Sequence, residues 1–177
     1  TDSWMRKAYK GGFTWLNPEF AQKDIGEGMV FDVNSLYPAQ MLNRMLPVGN
    51  PIPFEGKYME DKRHPLYIQH IFVNFELKDG KIPTIQIKGN TRFGDNEYLK
   101  SSDGIMVDLY LTNVDLELFF EHYHIENIEY IGGFKFQARK GIFDRYIYKW
   151  TLVKTQSEGG LRLMAKLMLN SLYGKFA

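Results

Sequence analysis

The chain has 177 residues, 44% hydrophobic and 15% aromatic, enough for one large domain or two small ones with a real core. It has no cysteine, which excludes disulfides and cysteine-ligated zinc and fits a reducing compartment. A formal net charge of +1 excludes a whole-protein basic field, so any nucleic acid must be held by local clusters of Lys and Arg. No run of about 18 apolar residues is present to span a membrane. The opening residues, Thr1 to Lys7, have no apolar signal region, so export is not expected.

In chain order, an aromatic and glycine-containing opening, Tyr9-Lys10-Gly11-Gly12-Phe13, precedes a turn at Gly26-Glu27-Gly28. Met29 to Val33 reads as a short buried strand. Pro38 sits where a helix would start, predicting a short helix through Ala39–Leu42. Pro47, Pro51 and Pro53 are expected to break any regular element. Tyr67 to Leu77 has a long strand pattern, followed by Asp79-Gly80, a hairpin signal. Ile82 to Ile87 is then the expected returning strand, and Lys88 to Asp95 a polar loop. A strand is expected over Ile105–Leu111. Thr112 as N-cap with Asp115 in the first turn then predicts a helix. Ile125 to Phe136 returns to strand. Ile142–Thr155 and Leu161–Tyr173 have helical spacing, and Gly159-Gly160 is expected to break them into an antiparallel pair. The fold class is α+β.

Two stretches carry chemistry. In Phe31-Asp32-Val33-Asn34-Ser35-Leu36-Tyr37-Pro38, a carboxylate ends an apolar strand, a position that suits a hard divalent cation such as Mg²⁺, with a turn carbonyl as a second oxygen ligand. Taken alone, the same pattern is the ordinary one of a strand-end Asp capping a helix. In the last helix, Arg162, Lys166, Asn170 and Tyr173 span an arc of roughly 80° at about 100° per residue. Leu163, Met164, Leu167 and Met168 take the other side, and Leu169 breaks the pattern. Lys154 adds a third cation. Such a stripe clamps a triphosphate and leaves a ring for a base, although taken alone it also reads as a solvated helix face. His64, His70, His122 and His124 have no ligand spacing, and His122 and His124 read as surface groups.

Asp32 to Pro38 resembles the first palm motif of family B DNA polymerases, and Lys166 to Gly174, with its Asn-Ser-Leu-Tyr-Gly run, resembles their fingers motif. Tyr9-Lys10-Gly11-Gly12 resembles the Tyr-x-Gly-Gly linker of the protein-primed branch, and the roughly 100 residues between palm and fingers motifs match that branch's extra insertion. The resemblance covers essentially the whole chain. It implies the start of the palm over 1–43, the terminal-protein-region insertion over 44–141 and a fingers helical hairpin over 142–177. The implied fold is thus a partial palm sheet, a β-rich mixed insertion with a helix and a C-terminal antiparallel hairpin.

The resemblance also assigns roles. Asp32 is the implied catalytic carboxylate and, with the Val33 carbonyl, a ligand for Mg²⁺ or Mn²⁺. Tyr37 lies under the nucleotide sugar and excludes a 2′-hydroxyl. Lys166, Lys154 and Arg162 contact phosphates, and Tyr173 lies against the nascent base pair. Ser35, Asn170 and Gly174 contact template or shape the pocket. Tyr9, Gly11 and Gly12 bind single-stranded template. The implied reaction is attack of a primer 3′-oxygen on the α-phosphate of a dNTP, assisted by two metals. The implied partners are template and primer DNA, dNTPs, a terminal protein and the remaining polymerase domains, with no membrane, in the cytoplasm of a phage-infected or prophage-bearing bacterium.

No Asp-Thr-Asp segment, the family's later metal motif, occurs in the chain. The resemblance therefore implies an interior slice of such an enzyme, inactive alone. The rival expectation is a non-catalytic module that binds terminal protein or DNA through the insertion; a third is an inactive prophage remnant.

Overall fold

The structure, a computed structural model, describes residues 1–89, 91–94 and 97–175. Among these, the elements in order are α1 (Asp2–Met5), α2 (Leu36–Asn43), β1 (Leu46–Glu55), β2 (Leu66–Leu77), β3 (Val107–Thr112), α3 (Asn113–His122), β4 (Tyr123–Arg139), α4 (Asp144–Gln156) and α5 (Gly159–Gly174). The architecture is α+β. The chain divides into two compact units, Thr1–Trp15 with Gly49–Gln137, and Leu16–Val48 with Ala138–Ala177.

The first unit is built on β2. Its alternate residues Gln69, Ile71, Val73 and Phe75 are all buried, because successive side chains of a strand face opposite sides. The sheet order is β1-β4-β2-β3, and β2 pairs antiparallel with both β3 and β4. Helix α3 closes one face, with Leu116 and Phe119 joining the core. Its start follows the expected chemistry: the Thr112 hydroxyl accepts from the Asp115 amide at 3.2 Å and donates to the Asp115 carboxylate at 2.7 Å.

Two expectations fail here. Ile82–Ile87 forms no strand beside β2, because both of its edges are occupied by β3 and β4. The segment is held instead by an isolated bridge from Ile85 to Leu99. The buried Tyr123 hydroxyl also holds it, accepting from Thr84 N at 2.7 Å and donating to Leu99 O at 2.9 Å. Nor do the three prolines break regular structure. Pro47, Pro51 and Pro53 all lie within β1, an edge strand, where a missing N–H is tolerated. Of the expected polar loop, Asn90 and Asp95 lie outside the described residues.

In the second unit, α4 and α5 pack together, joined by only Ser157 and Glu158, and α2 packs against both. Ile147 of α4, Ala165 and Leu169 of α5 and Pro38 of α2 are buried. The small Ala165 permits close approach, and the Tyr146 hydroxyl donates to Met168 O at 2.9 Å.

Gly159 and Gly160 open α5 rather than separating the helices. The residue that interrupted the apolar pattern, Leu169, is a packing residue, whereas Leu163, Met164 and Leu167 are exposed. Met29–Val33 is not a strand: no described strand pairs with it, and Val30 is 100% exposed. An apolar run without a partner for its backbone groups has no sheet to join.

Candidate functional site

The site begins with a backbone constraint. Ser35, the residue before α2, has φ +51° and ψ +45°, the left-handed conformation that L-residues other than Asn and Asp seldom take. This turn brings Asp32, Asn34 and Ser35 to the wall of one cavity, of about 360 Å³. The rest of its lining comes largely from the helix pair: Lys154 of α4, and Gly159, Arg162, Lys166 and Asn170 of α5.

Two of its three cations are anchored. Lys154 Nζ donates to Ser35 Oγ at 3.0 Å. Arg162 Nη1 donates to the Lys154 carbonyl at 2.9 Å, which satisfies one of the carbonyls left open at the end of α4. Lys166, one turn beyond Arg162, is exposed. The first turn of α5 has no acidic residue and no side-chain cap. Its open amides and positive dipole end, at Gly159, therefore add to the three cations. Gly159, expected only as a helix breaker, lines the cavity, and so does Asn34, which belongs to the Asp32–Pro38 motif but carries no assigned role. Adjacency to Asp32 was the signal for Asn34.

Tyr37 and Tyr173 stack on each other, with ring centroids 4.2 Å apart and planes 16° apart. Both line a second, apolar cavity of about 510 Å³ with Met41, Leu46 and Phe143. Thus Arg162, Lys166 and Asn170 share one cavity as their helical spacing implies, whereas Tyr173 pairs with Tyr37. Val33 is 63% exposed, and Gly174 ends α5.

Tyr9, Gly11 and Gly12 belong to the first unit. Tyr9 follows a turn of 3₁₀ helix over Arg6–Ala8 and is exposed, and Gly11 has open space where a Cβ would stand. With Arg6, Lys7, Lys10 and Lys88, Tyr9 lines a cleft of about 430 Å³. Burial holds the Lys10 ammonium below the usual lysine range, offset in part by Asp115, 3.9 Å away. Arg6, Lys7 and Lys88 were not singled out from sequence.

His122, the last residue of α3, bonds through Nδ1 to Ile82 O at 2.7 Å. Among the described residues, no three His, Asp or Glu side chains converge as metal ligands, and no helix is long and apolar enough to cross a membrane.

One cavity thus gathers a carboxylate, three cations and the start of a helix, and comparison with known proteins gives the class. Residues 1–177 match the family DNA polymerase type B, organellar and viral, and the chain belongs to that family. It is 64% identical over 176 residues to the DNA polymerase of Bacillus phage phi29, covering 99% of this chain and 31% of that protein. It is 44% identical over 154 residues to the DNA polymerase of Streptococcus phage Cp-1, covering 83% of this chain and 27% of that protein. The solved complex of Phi29 DNA polymerase with primer-template DNA and incoming nucleotide superposes with a TM-score of 0.96 at 64% identity. That match covers 99% of this chain and 31% of the other. The chain thus spans about 31% of the length of the phi29 protein it matches.

Proposed function

We propose that the chain is part of a DNA-directed DNA polymerase of the protein-primed type, carrying the first metal-binding carboxylate and the dNTP-binding fingers motif. The observation that carries this reading is the cavity that Asp32 lines together with Lys154, Arg162 and Lys166. Residues 1–43 are read as the start of the palm, 44–141 as the insertion and 142–177 as the fingers.

In this reading the three cations and the start of α5 hold the phosphates of the incoming nucleotide. The stacked Tyr37 and Tyr173 bound the sugar and base, and Tyr37 stands against a 2′-hydroxyl. Ser35, Asn170 and Gly174 shape the template side, and Tyr9, Gly11 and Gly12 meet single-stranded template. The donor set at Asp32, one carboxylate and the Val33 carbonyl, fits Mg²⁺ or Mn²⁺, since Mg²⁺ commonly takes one or two carboxylates together with substrate phosphates. When bound, the metal supplies Lewis-acid stabilisation of the phosphoryl charge. In this reading the chain is one part of an enzyme in the cytoplasm of an infected or prophage-bearing bacterium and does not polymerise alone.

Primer extension with Mg²⁺ and dNTPs, run with the parent and Asp32→Ala, tests the incomplete site: neither extends. Extension by the parent alone would sink that part. Calorimetric titration with Mg²⁺-dATP tests the clamp: Lys166→Ala weakens binding by about tenfold, the worth of one charge-assisted hydrogen bond. Equal affinity would overturn it.

A second reading rests on a different observation. The first unit contains a complete buried core of its own, from Ile71 to Tyr123. It supports a module that docks terminal protein or DNA through the insertion without catalysis. Binding unaffected by Asp32→Ala and lost on changing residues of 44–141 would favour it.

A further inference from the structure

On the first unit, away from the polymerase motifs, four rings surround a small cavity. It has a volume of about 120 Å³ and is walled by Tyr58, Tyr67, Phe120 and Tyr130, with Glu117 and Lys57 at its rim. That is well below the roughly 300–1,000 Å³ of ordinary ligand pockets, so it admits a head group rather than a ring system.

The rings are held in place. Tyr58 and Tyr67 stack with centroids 3.9 Å apart, and Phe54 meets Tyr58 edge-on at 5.7 Å. The fully buried Gln69 accepts from Tyr58 N at 2.9 Å through its Oε1. Its Nε2 donates to Gly56 O at 2.9 Å and Gly132 O at 3.0 Å. The Tyr58 hydroxyl is pinned at its far end, donating to His64 O at 2.9 Å and accepting from Asp61 N at 3.0 Å. Tyr58 is therefore fixed at backbone and hydroxyl alike.

The electrostatics select a sign. Ring faces are negative and attract cations, and a carboxylate at the rim adds to that field. The Tyr67 phenol is pushed up by burial first, then by the charge of Glu117, with Tyr58 and Tyr130 beside it. The chain's own Lys57 ammonium already stands over the Tyr130 ring, 5.2 Å from its centroid.

We propose that this aromatic box binds an alkylammonium head group, with Glu117 as its counter-charge and Lys57 as a tethered competitor. A free quaternary amine and a lysine side chain of a partner protein share that chemistry. The proposal is independent of the polymerase reading, because none of its residues lies in the motifs that carry that reading.

The test is NMR titration of the full chain with tetramethylammonium chloride and, separately, with Nα-acetyl-lysine N-methylamide, against sodium chloride at equal concentration. Ring currents move the N-methyl signal of tetramethylammonium, or the ε-methylene signal of the lysine amide, upfield and shift the ring signals of Tyr67 and Tyr130. Glu117→Gln weakens binding about threefold, and Lys57→Ala tightens it about threefold, the scale of an exposed cation–π contact. Both positions are exposed, so neither change threatens the fold. Tighter binding of tetramethylammonium assigns the site to a small quaternary amine; tighter binding of the lysine amide assigns it to a partner's side chain. No shift beyond the sodium chloride control, or equal affinity in all three proteins, overturns the proposal.

Discussion

Lys154 Nζ and Ser35 Oγ, 119 positions apart in sequence, are joined by a 3.0 Å hydrogen bond that ties the last turn of α4 to the left-handed turn before α2. The bond orients an ammonium toward the cavity that Asp32 lines and fixes the turn that carries Asp32. One contact thereby links one of the three cations of the proposed site to the turn that follows its carboxylate.

The two partners of that bond are predicted to separate on mutation. Lys154→Met removes both bond and charge, and should cost about 1 kcal/mol of stability and weaken Mg²⁺-dATP binding about tenfold. Ser35→Ala removes the bond and keeps the charge, so stability falls by a similar amount while affinity changes less than about threefold. Urea melts and calorimetry read the two quantities. Equal affinity losses in both variants would mean that Lys154 acts through the turn and not on phosphate.

How much of this was legible follows from how local each signal is. Helix α3 could be read because Thr112 and Asp115 sit three residues apart and satisfy each other. Strand β2 could be read because its alternation is its own. Met29–Val33 and Ile82–Ile87 also carry strand-like apolar residues, yet a strand also needs an open sheet edge, and that depends on residues distant in sequence. The same holds for Pro47, Pro51 and Pro53: proline bars a central strand, but edge position is not written locally. Within the site, helical spacing sufficed for Arg162, Lys166 and Asn170. It did not suffice for the Tyr37–Tyr173 stack or the Lys154–Ser35 bond, which join distant segments.

Gln69 is predicted to hold the loop between β1 and β2. Its buried amide meets Tyr58 N, Gly56 O, His70 O and Gly132 O, so Gln69→Leu removes the side-chain partner of four backbone groups at nearly unchanged volume. An unsatisfied buried group costs about 1–3 kcal/mol, and the loss should reach about 3 kcal/mol. Hydrogen exchange at the Tyr58 amide should accelerate in parallel. A loss under about 1 kcal/mol in urea melts would mean that water replaces the side chain.

Two glycines should respond very differently to alanine. A Cβ on Gly133 would collide with the Ile68 carbonyl oxygen and stand 2.8 Å from the Phe54 ring, so β4 lies too close to its neighbours for any side chain there. Gly133→Ala should cost about 3 kcal/mol or prevent folding. Gly28 has open space in the same position, and Gly28→Ala should change stability by less than about 0.5 kcal/mol. Thermal melts of the two variants beside the parent decide the matter, and similar melting would show that β4 can shift to make room.

Asp61 makes part of the stability depend on acid. Its Oδ2 accepts from Lys135 Nζ at 2.8 Å and from His64 Nδ1 at 2.9 Å, and its Oδ1 accepts from Arg63 N at 2.9 Å. The Lys135 ammonium first, then the His64 ring and the Arg63 amide, hold the carboxyl far below the usual carboxylate range. A carboxylate depressed on folding contributes stability that is fully present above its unfolded value, near pH 3.9. That stability is lost as pH falls through the lower folded value. Asp61→Asn should therefore destabilise the chain at pH 7, and the gap from the parent should narrow steadily below about pH 4. Urea melts at pH 7, 4 and 3 measure that gap. A gap of constant size would show that Asp61 acts through hydrogen bonds that its amide replacement loses at every pH, and not through its charge.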